Sequence, residues 1–113
     1  PSARTAAMVL DNAQKVIGIE LAAAAQAIWL RQEMGEQGID NLAPATRAAY
    51  DFIRSKAEPV EKDILMIDYL AKFDEMVKDH SILEAVEKVA VSTRHLKSQE
   101  TDEGARRTGE NAW

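Results

Sequence analysis

Apolar residues recur at helical spacing through most of the chain, and no stretch alternates convincingly as a strand would. The first run begins at Ser2, which can cap a helix, and meets no proline before Met34. Gly35 and Gly38 then mark its end. The pattern predicts a helix over residues 2–34, roughly 50 Å long at the usual rise per residue.

This first helix loses its polar side along its length. The segment Leu21–Leu30 carries one polar residue, Gln26, whereas the first half has a wet side formed by Asp11, Asn12, Gln14 and Lys15. A helix that is apolar nearly all round must be surrounded by other elements. A chain of 113 residues can cover two sides of it, so we predict that the helix also associates with another chain.

Three shorter helices follow a loop at residues 35–43. Pro44 at a first helical position starts a helix over Pro44–Lys56, although Ala43 is a poor cap. An extended connector over residues 58–63 leads to a helix over Met66–Lys78, in which Ile67, Leu70, Ala71, Phe73, Met76 and Val77 fall at helical spacing. The fold class is therefore all-α, with one very long helix and three shorter ones.

The fourth helix is predicted over Ile82–Val91, with Ser81 and Glu84 as a capping box. From Lys97 onward the chain is polar and has no apolar period, which is typical of a disordered tail. We therefore divide the chain into a helical module, residues 1–91, and a tail, residues 92–113.

Charge and composition narrow the function classes. The formal net charge is -5 and the pI is near 5.0, which argues against a nucleic-acid or anionic-membrane binder. Residues 58–91 hold nine acids and four bases, a pattern typical of a solvated helix face. The most apolar stretch, Val16–Leu30, contains Glu20 and falls short of the roughly 18 apolar residues of a membrane span. We expect a soluble cytoplasmic protein.

Few residues have the chemistry of a catalytic or metal site. Cysteine is absent, and the two histidines, His80 and His95, are more consistent with surface positions than with metal ligands. Glu20 lies in the apolar part of the first helix, where it could act as a general acid or base. The simpler interpretation is an ion pair or hydrogen bond with Arg31, Arg47 or a partner chain.

Other polar and aromatic residues suggest structural roles. Gln26 is predicted to be a buried amide that holds the helix register, and Trp29 to be packed, whereas Trp113 lies in the tail. The segment from Gly35 to Gly38 lacks the length and the lysine of a phosphate-binding loop. No base is arranged by spacing around the serines, which are Ser2, Ser55, Ser81, Ser92 and Ser98. We assign no catalytic, cofactor-binding or metal-binding residue.

Three segments resemble, in order, the C-terminal helices of the histidine and aromatic amino-acid ammonia-lyases. Ile19–Arg31 (IELAAAAQAIWLR) resembles the family run Ile-Glu-Leu-Leu-Ala-Ala-Ala-Gln-Ala-Leu-Asp-Leu-Arg. Leu42–Tyr50 (LAPATRAAY) resembles Leu-Ser-Pro-Ala-Thr-Arg-Ala-x-Tyr. Val60–Asp63, the helix from Asp68 to Val77, and Leu83–Glu87 follow in the family's order.

The resemblance covers about residues 3–90. Two positions depart from it: Ala43 replaces the usual cap serine, and Trp29 replaces a residue that is usually polar. The resemblance implies a parent enzyme that eliminates ammonia from an α-amino acid with a methylidene-imidazolone formed from an internal Ala-Ser-Gly. That tripeptide is absent from this sequence, and the matched region starts after the family's catalytic segments. Tyr50 and Tyr69 are therefore not substitutes for the family's base tyrosine.

The resemblance also implies assembly, because long helices of four subunits form a central bundle in this family. We expect self-association through helix 2–34, as a homotetramer, or association with the N-terminal portion of the enzyme, and no nucleic-acid or membrane partner. Since the chain begins with Pro1, we expect a trimmed product, a proteolytic fragment or one piece of a split enzyme. The alternative is a stand-alone helical oligomerisation or interaction module. The substrate, and whether the parent is a lyase or an aminomutase, stay open.

Overall fold

The computed structural model describes residues 2–36 and 39–110, with side chains as far as Arg107. Four α-helices make up the described chain: α1 (Ser2–Glu33), α2 (Pro44–Lys56), α3 (Met66–Lys78) and α4 (Ser81–Glu110). A short 3-10 helix, Ile39–Asn41, precedes α2. The described residues contain no strand, so the all-α prediction is confirmed, and α2 and α3 have the predicted bounds.

The end of α1 is fixed by backbone hydrogen bonds around Gly35. Gly35 has a φ of +75°, a left-handed conformation that glycine adopts without strain. The N–H of Glu36 donates to the carbonyl of Arg31, and the N–H of Gly35 donates to the carbonyl of Gln32. This pair of bonds satisfies two of the carbonyls in the last turn of the helix. The second predicted stop, Gly38, lies outside the described residues.

The core lies where α1, α2 and α3 meet. Phe73 of α3 is fully buried, with an exposed fraction of 0%, and its ring lies 5.3 Å from that of Tyr69. The other buried apolar residues are Ala22, Ala25, Tyr50, Ile53, Ala57 and Met76. Small residues on α1 face α3, which allows these two helices to approach closely.

The crossing of α1 and α3 depends on Gly18. A Cβ atom built at this position would lie 3.2 Å from the backbone nitrogen of Asp74 and 3.3 Å from the carbonyl carbon of Phe73. Two turns before Gly18 on α1, Asp11 forms an ion pair with Lys78 of α3 at 2.6 Å. A glycine contact and an ion pair therefore set how α1 lies on α3.

Gln26 connects α1 to the segment between α2 and α3. Its amide nitrogen donates to the carbonyl of Val60 at 2.8 Å, and its amide oxygen accepts from the N–H of Val60 at 3.0 Å. Gln26 was predicted to be a buried amide that holds the helix register; it is half-buried, and its amide bonds the extended connector and not another helix. A single side chain thus satisfies both polar groups of one residue in the connector.

The turn between α3 and α4 differs from the predicted capping box. Asp79, and not Ser81, supplies the cap: its Oδ1 accepts from the backbone N–H of Ser81 at 2.9 Å. The Ser81 hydroxyl instead donates to the carbonyl of Met76. His80 between them has a φ of 60° and ends α3. Asp79 therefore takes the role that the sequence spacing attributed to Ser81.

The fourth helix is longer than predicted. It continues from Ser81 to Glu110 instead of ending near Val91, so residues 92–110 are part of the helix. Lys, Gln, Glu, Ala and Arg in this segment are strong helix formers, and no proline stops it. Every described side chain from Arg94 to Arg107 is exposed. The packing of α4 on α2 therefore ends near Thr93.

The helices form a thin layer and not a rounded core. The chain measures 68 × 49 × 17 Å, and its radius of gyration is 19.9 Å. A compact chain of this length would have a radius of about 13–14 Å. Since the axes of packed helices lie about 8–10 Å apart, the shortest dimension corresponds to about two layers of helices. The faces of α1 and α4 are left accessible on such a layer.

Candidate assembly surface

Large apolar side chains lie on the outside of the molecule in greater number than in its core. Among the described residues, fifteen large apolar side chains are exposed, whereas the buried core holds eight residues, three of them alanine. On α1 the exposed ones include Met8, Val9, Val16, Ile19 and Leu30. Apolar surface on this scale marks an interaction site in a folded protein.

One row of exposed positions on α1 follows a spacing of four and three residues. Its members, which we name the outer stripe, are Val9, Ala13, Val16, Glu20, Ala23, Ala27 and Leu30. All are exposed, and Glu20 is the one polar member. The same helix buries Gly18, Ala22 and Ala25 on its opposite side. The outer stripe therefore has the periodicity of a seam between helices, but the described chain leaves all of its members exposed.

A second apolar patch lies at the start of α3. Ile64, Leu65, Met66 and Ile67 are all exposed, and Ile67 has an exposed fraction of 77%. Ile67 and Ala71 are among the apolar residues that fall at helical spacing on α3, yet both are exposed. The patch continues into an apolar groove of about 370 Å³ between α1 and α3. The uncovered surface thus spans two helices.

Glu20 is exposed on the outer stripe and is not buried within the chain. Of the partners considered for it, Arg31 bonds Glu36 at 3.2 Å and Arg47 bonds Asp51 at 3.0 Å. Within the described residues Glu20 has no hydrogen bond or ion pair. The two arginines are thus engaged elsewhere, and of the three candidates a partner chain is the one that the fold leaves open.

The two histidines lie apart on the surface. His80 is exposed at the turn between α3 and α4, and His95 is exposed on α4, where its ring lies 3.3 Å from the amide of Gln99. In the described parts of the chain, no three histidine or acidic side chains come together to form a possible metal site. Both rings are therefore where surface histidines were predicted.

Several hydroxyl groups in the described chain donate to backbone carbonyls. Ser55 donates to the carbonyl of Phe52, and Ser98 donates to that of His95. Tyr69 is buried and donates to the carbonyl of Glu58 at 3.0 Å. Tyr50 is buried beneath the guanidinium of Arg54, 5.3 Å from its ring centre. These side chains hold helices and turns together, while Trp113 lies outside the described residues.

Charged groups on the surface follow the predicted distribution. The acids of residues 58–91 are exposed, except for Asp74, which is half-buried. Lys78 lies between Asp74 and Asp11, and hydrogen bonds from Lys78 and Lys15 lower the pKa of Asp11. Over the described residues, no helix has both the length and the apolarity that a bilayer crossing needs.

Several curated proteins share substantial sequence with this chain. The histidine ammonia-lyase of Symbiobacterium thermophilum is 38% identical over 89 residues, which are 79% of this chain and 16% of the relative. That of Clostridium tetani is 40% identical over 96 residues, 83% of this chain and 18% of the relative. The chain is thus similar to one segment of the histidine ammonia-lyases. Histidine ammonia-lyase 1 of Fusobacterium nucleatum, 38% identical over 80 residues, shows the same similarity.

The match to histidine ammonia-lyases covers most of this chain but a small part of each relative. The chain spans 14–18% of the length of these curated relatives, which is consistent with a C-terminal fragment of the family. No family model matches the chain, and no solved structure does. The resemblance stated from three sequence segments is thereby confirmed.

Proposed function

We propose that this chain is the C-terminal structural portion of a histidine ammonia-lyase-like enzyme and that it holds copies of the enzyme together through α1. The observation that supports this most directly is the outer stripe, a seven-member row of exposed positions with a single polar side chain. A folded chain that keeps such a row uncovered is expected to associate, because burial of apolar surface stabilises the assembly. By resemblance to the family, the assembly is a homotetramer in the cytoplasm.

The chain by itself is proposed to be inactive. The parent reaction, elimination of ammonia from histidine, requires an electrophile, and the Ala-Ser-Gly source of the family's methylidene-imidazolone is not in this sequence. The tyrosines are packed in the core, and Ser55 and Ser98 donate to backbone carbonyls. The prosthetic group and the substrate-binding residues would come from the N-terminal portion of the enzyme.

Two measurements test this proposal. Sedimentation velocity of the purified chain should give a concentration-dependent species larger than a monomer, and incubation with histidine should give no urocanate absorbance. Co-expression with an N-terminal portion that carries Ala-Ser-Gly should yield a complex that forms urocanate. A monomer at all concentrations, or turnover by the chain alone, would contradict the proposal.

The alternative is a stand-alone helical module for oligomerisation or protein interaction. It is favoured by the core, since Phe73 is fully buried by contacts within this one chain. The two proposals differ in their genomic prediction, because only a split or truncated enzyme requires a reading frame with Ala-Ser-Gly nearby. A chain that self-associates but does not bind the N-terminal portion would favour the module.

A further inference from the structure

The C-terminal half of α1 presents a narrow face on which two charges flank three alanines. This alanine face consists of Glu20, Ala23, Ala24, Ala27 and Arg31, and every one of these residues is exposed. Their spacing of three or four places them along one side of the helix. The opposite side carries Gly18, Ala22 and Ala25, which are buried. The alanine face is therefore not used by the fold of the single chain.

The two ends of the alanine face carry opposite charges, at equal distances from the midpoint of the face. Glu20 and Arg31 are eleven positions apart, or about 16 Å along the helix axis. The midpoint between them falls between Ala25 and Gln26. If two such helices run antiparallel about that midpoint, each Glu20 lies level with an Arg31 of the other helix. The face is thus complementary in charge to a second copy of itself.

We propose that two copies of this chain pair α1 against α1 in antiparallel orientation through the alanine face, with Glu20 of each copy bonded to Arg31 of the other. The pairing rests on the proposed assembly function and gives it a partner, an orientation and a register. A two-fold axis at the midpoint produces two identical ion pairs, as a self-complementary interface requires.

The charges disfavour the parallel arrangement. A parallel pair in register would bring Glu20 against Glu20 and Arg31 against Arg31, and like charges at an interface are costly. The antiparallel pair replaces both repulsions with attractions. It also places Ala24 of one copy opposite Ala27 of the other, so that the helix axes can approach at the short end of the usual 8–10 Å range.

The present partner of Arg31 does not prevent this exchange. Arg31 bonds Glu36 at 3.2 Å, and 64% of its side chain and 52% of that of Glu36 are exposed. Ion pairs exposed to this degree contribute little to stability. Glu20 has no such bond among the described residues. Moving Arg31 from Glu36 to a partner's Glu20 therefore loses a weak solvated contact and satisfies a carboxylate on an otherwise apolar stripe.

Charge reversal tests the ion pair. Glu20→Arg and Arg31→Glu, each made alone, should raise the dimer dissociation constant at least about tenfold in sedimentation equilibrium, because each places like charges together. The double reversal should return the constant to within about threefold of the unchanged chain, since the pairs are re-formed with opposite sense. Glu33→Arg and Arg4→Glu, the same changes on exposed positions of α1 outside the face, should have little effect.

Disulfide crosslinking tests orientation and register, and the chain is suited to it because it has no cysteine. Mixed copies carrying Ala24→Cys and Ala27→Cys should crosslink to each other faster than either does to its own kind. Faster crosslinking within one kind, or single reversals without effect, would overturn the antiparallel pairing while leaving self-association intact. If the unchanged chain stays monomeric, the proposed assembly function fails as well. Far-UV circular dichroism of each variant shows whether the helices are retained.

Discussion

At Gly18, α1 lies so close to the backbone of α3 that a larger side chain would force the two helices to shift. The built Cβ atom would meet backbone atoms of Asp74 and Phe73 at 3.2 and 3.3 Å. Backbone in the middle of a helix cannot shift as a flexible side chain can. We expect Gly18→Leu to separate the helices and to destabilise the fold by at least about 2 kcal/mol.

A matched control for this substitution lies on α4. Gly104 has no atom within 4 Å of a built Cβ and is exposed. Gly104→Leu, the same change on an exposed position of α4, should leave the free energy of unfolding nearly unchanged, because the exposed end of α4 adds no core contact. Chemical denaturation of both variants measures the difference. Equal stability of the Gly18→Leu variant and the unchanged chain would show that the α1–α3 crossing is not close-packed.

Gln26 is the side chain whose role was most directly readable from the sequence, since it is the single polar residue of an apolar run. Its partner was not readable, because the connector reaches it from thirty-four positions away. Gln26→Met keeps the approximate volume but leaves both polar groups of Val60 without the side-chain bonds. We expect a loss of about 1–3 kcal/mol in denaturant unfolding, whereas Gln32→Met, on an exposed position of the same helix, should change stability little.

Two aspartates make the fold sensitive to acid. The pKa of Asp79 is lowered by hydrogen bonds from Ser81, and that of Asp11 by hydrogen bonds from Lys78 and Lys15. A group whose pKa is lower in the folded state stabilises the fold above its ordinary value, here 3.8. That contribution is lost as the pH falls from there through the folded value. The pKa of Lys78 is raised, so its contribution to stability is present below its ordinary value of 10.5 and is lost as the pH rises above it.

The acid sensitivity can be measured by thermal unfolding at pH 6, 4, 3 and 2.5. The unchanged chain should lose Tm below about pH 4. The double variant Asp11→Asn with Asp79→Asn should have a lower Tm at pH 6 and a smaller loss in acid. Asp102→Asn, an exposed change on α4, serves as the control. An acid loss of Tm that is undiminished in the double variant would contradict the assignment.

At the level of elements, local signals predicted where helices begin better than where they end. Pro44 at the first helical position starts α2, and Pro59 together with the extended connector separates α2 from α3. The end of α4 was predicted wrongly because a polar segment of helix formers gives no apolar period, and propensity alone extends it. The cap at α4 was misassigned by two residues, since Asp79 and Ser81 both can accept from a helix N-terminus.

The exposed part of α4 should be dispensable for the fold. From Arg94 to Arg107 no described side chain is buried, and the half-buried residues of α4 end at Thr93. We expect a chain truncated after Thr93 to keep the Tm of the full chain within about 2 °C, because no core contact is removed. Truncation after Ala85 should lower it strongly, since it removes the half-buried Val86, Val89 and Ala90. A large loss on the first truncation would show that the far end of α4 packs in solution.

At the level of the whole molecule, the sequence indicated only that α1 has more apolar surface than the rest of the chain can cover. It predicted neither the flat shape nor the position of the outer stripe. A helix apolar nearly all round does not reveal by its sequence which side the chain itself covers. The structure resolves this: the side with Gly18, Ala22 and Ala25 packs on α3, and the outer stripe remains exposed. The resemblance to ammonia-lyases located the segment within a family but could not supply this choice of face.

Ala24 lies on the uncovered side of α1, so a charge placed there tests assembly without touching the core. An arginine at this position would be solvated in a monomer, but in a helix pair it would be buried without a partner, which costs at least about 3 kcal/mol. We therefore expect Ala24→Arg to raise the dissociation constant of the assembly at least about a hundredfold while leaving the circular dichroism spectrum unchanged. Ala105→Arg makes the same change on an exposed position of α4 that packs on nothing described and should leave assembly intact. If the Ala24→Arg chain sediments as the unchanged one does, copies assemble through another surface, and the exposed patch Ile64–Ile67 becomes the surface to vary next.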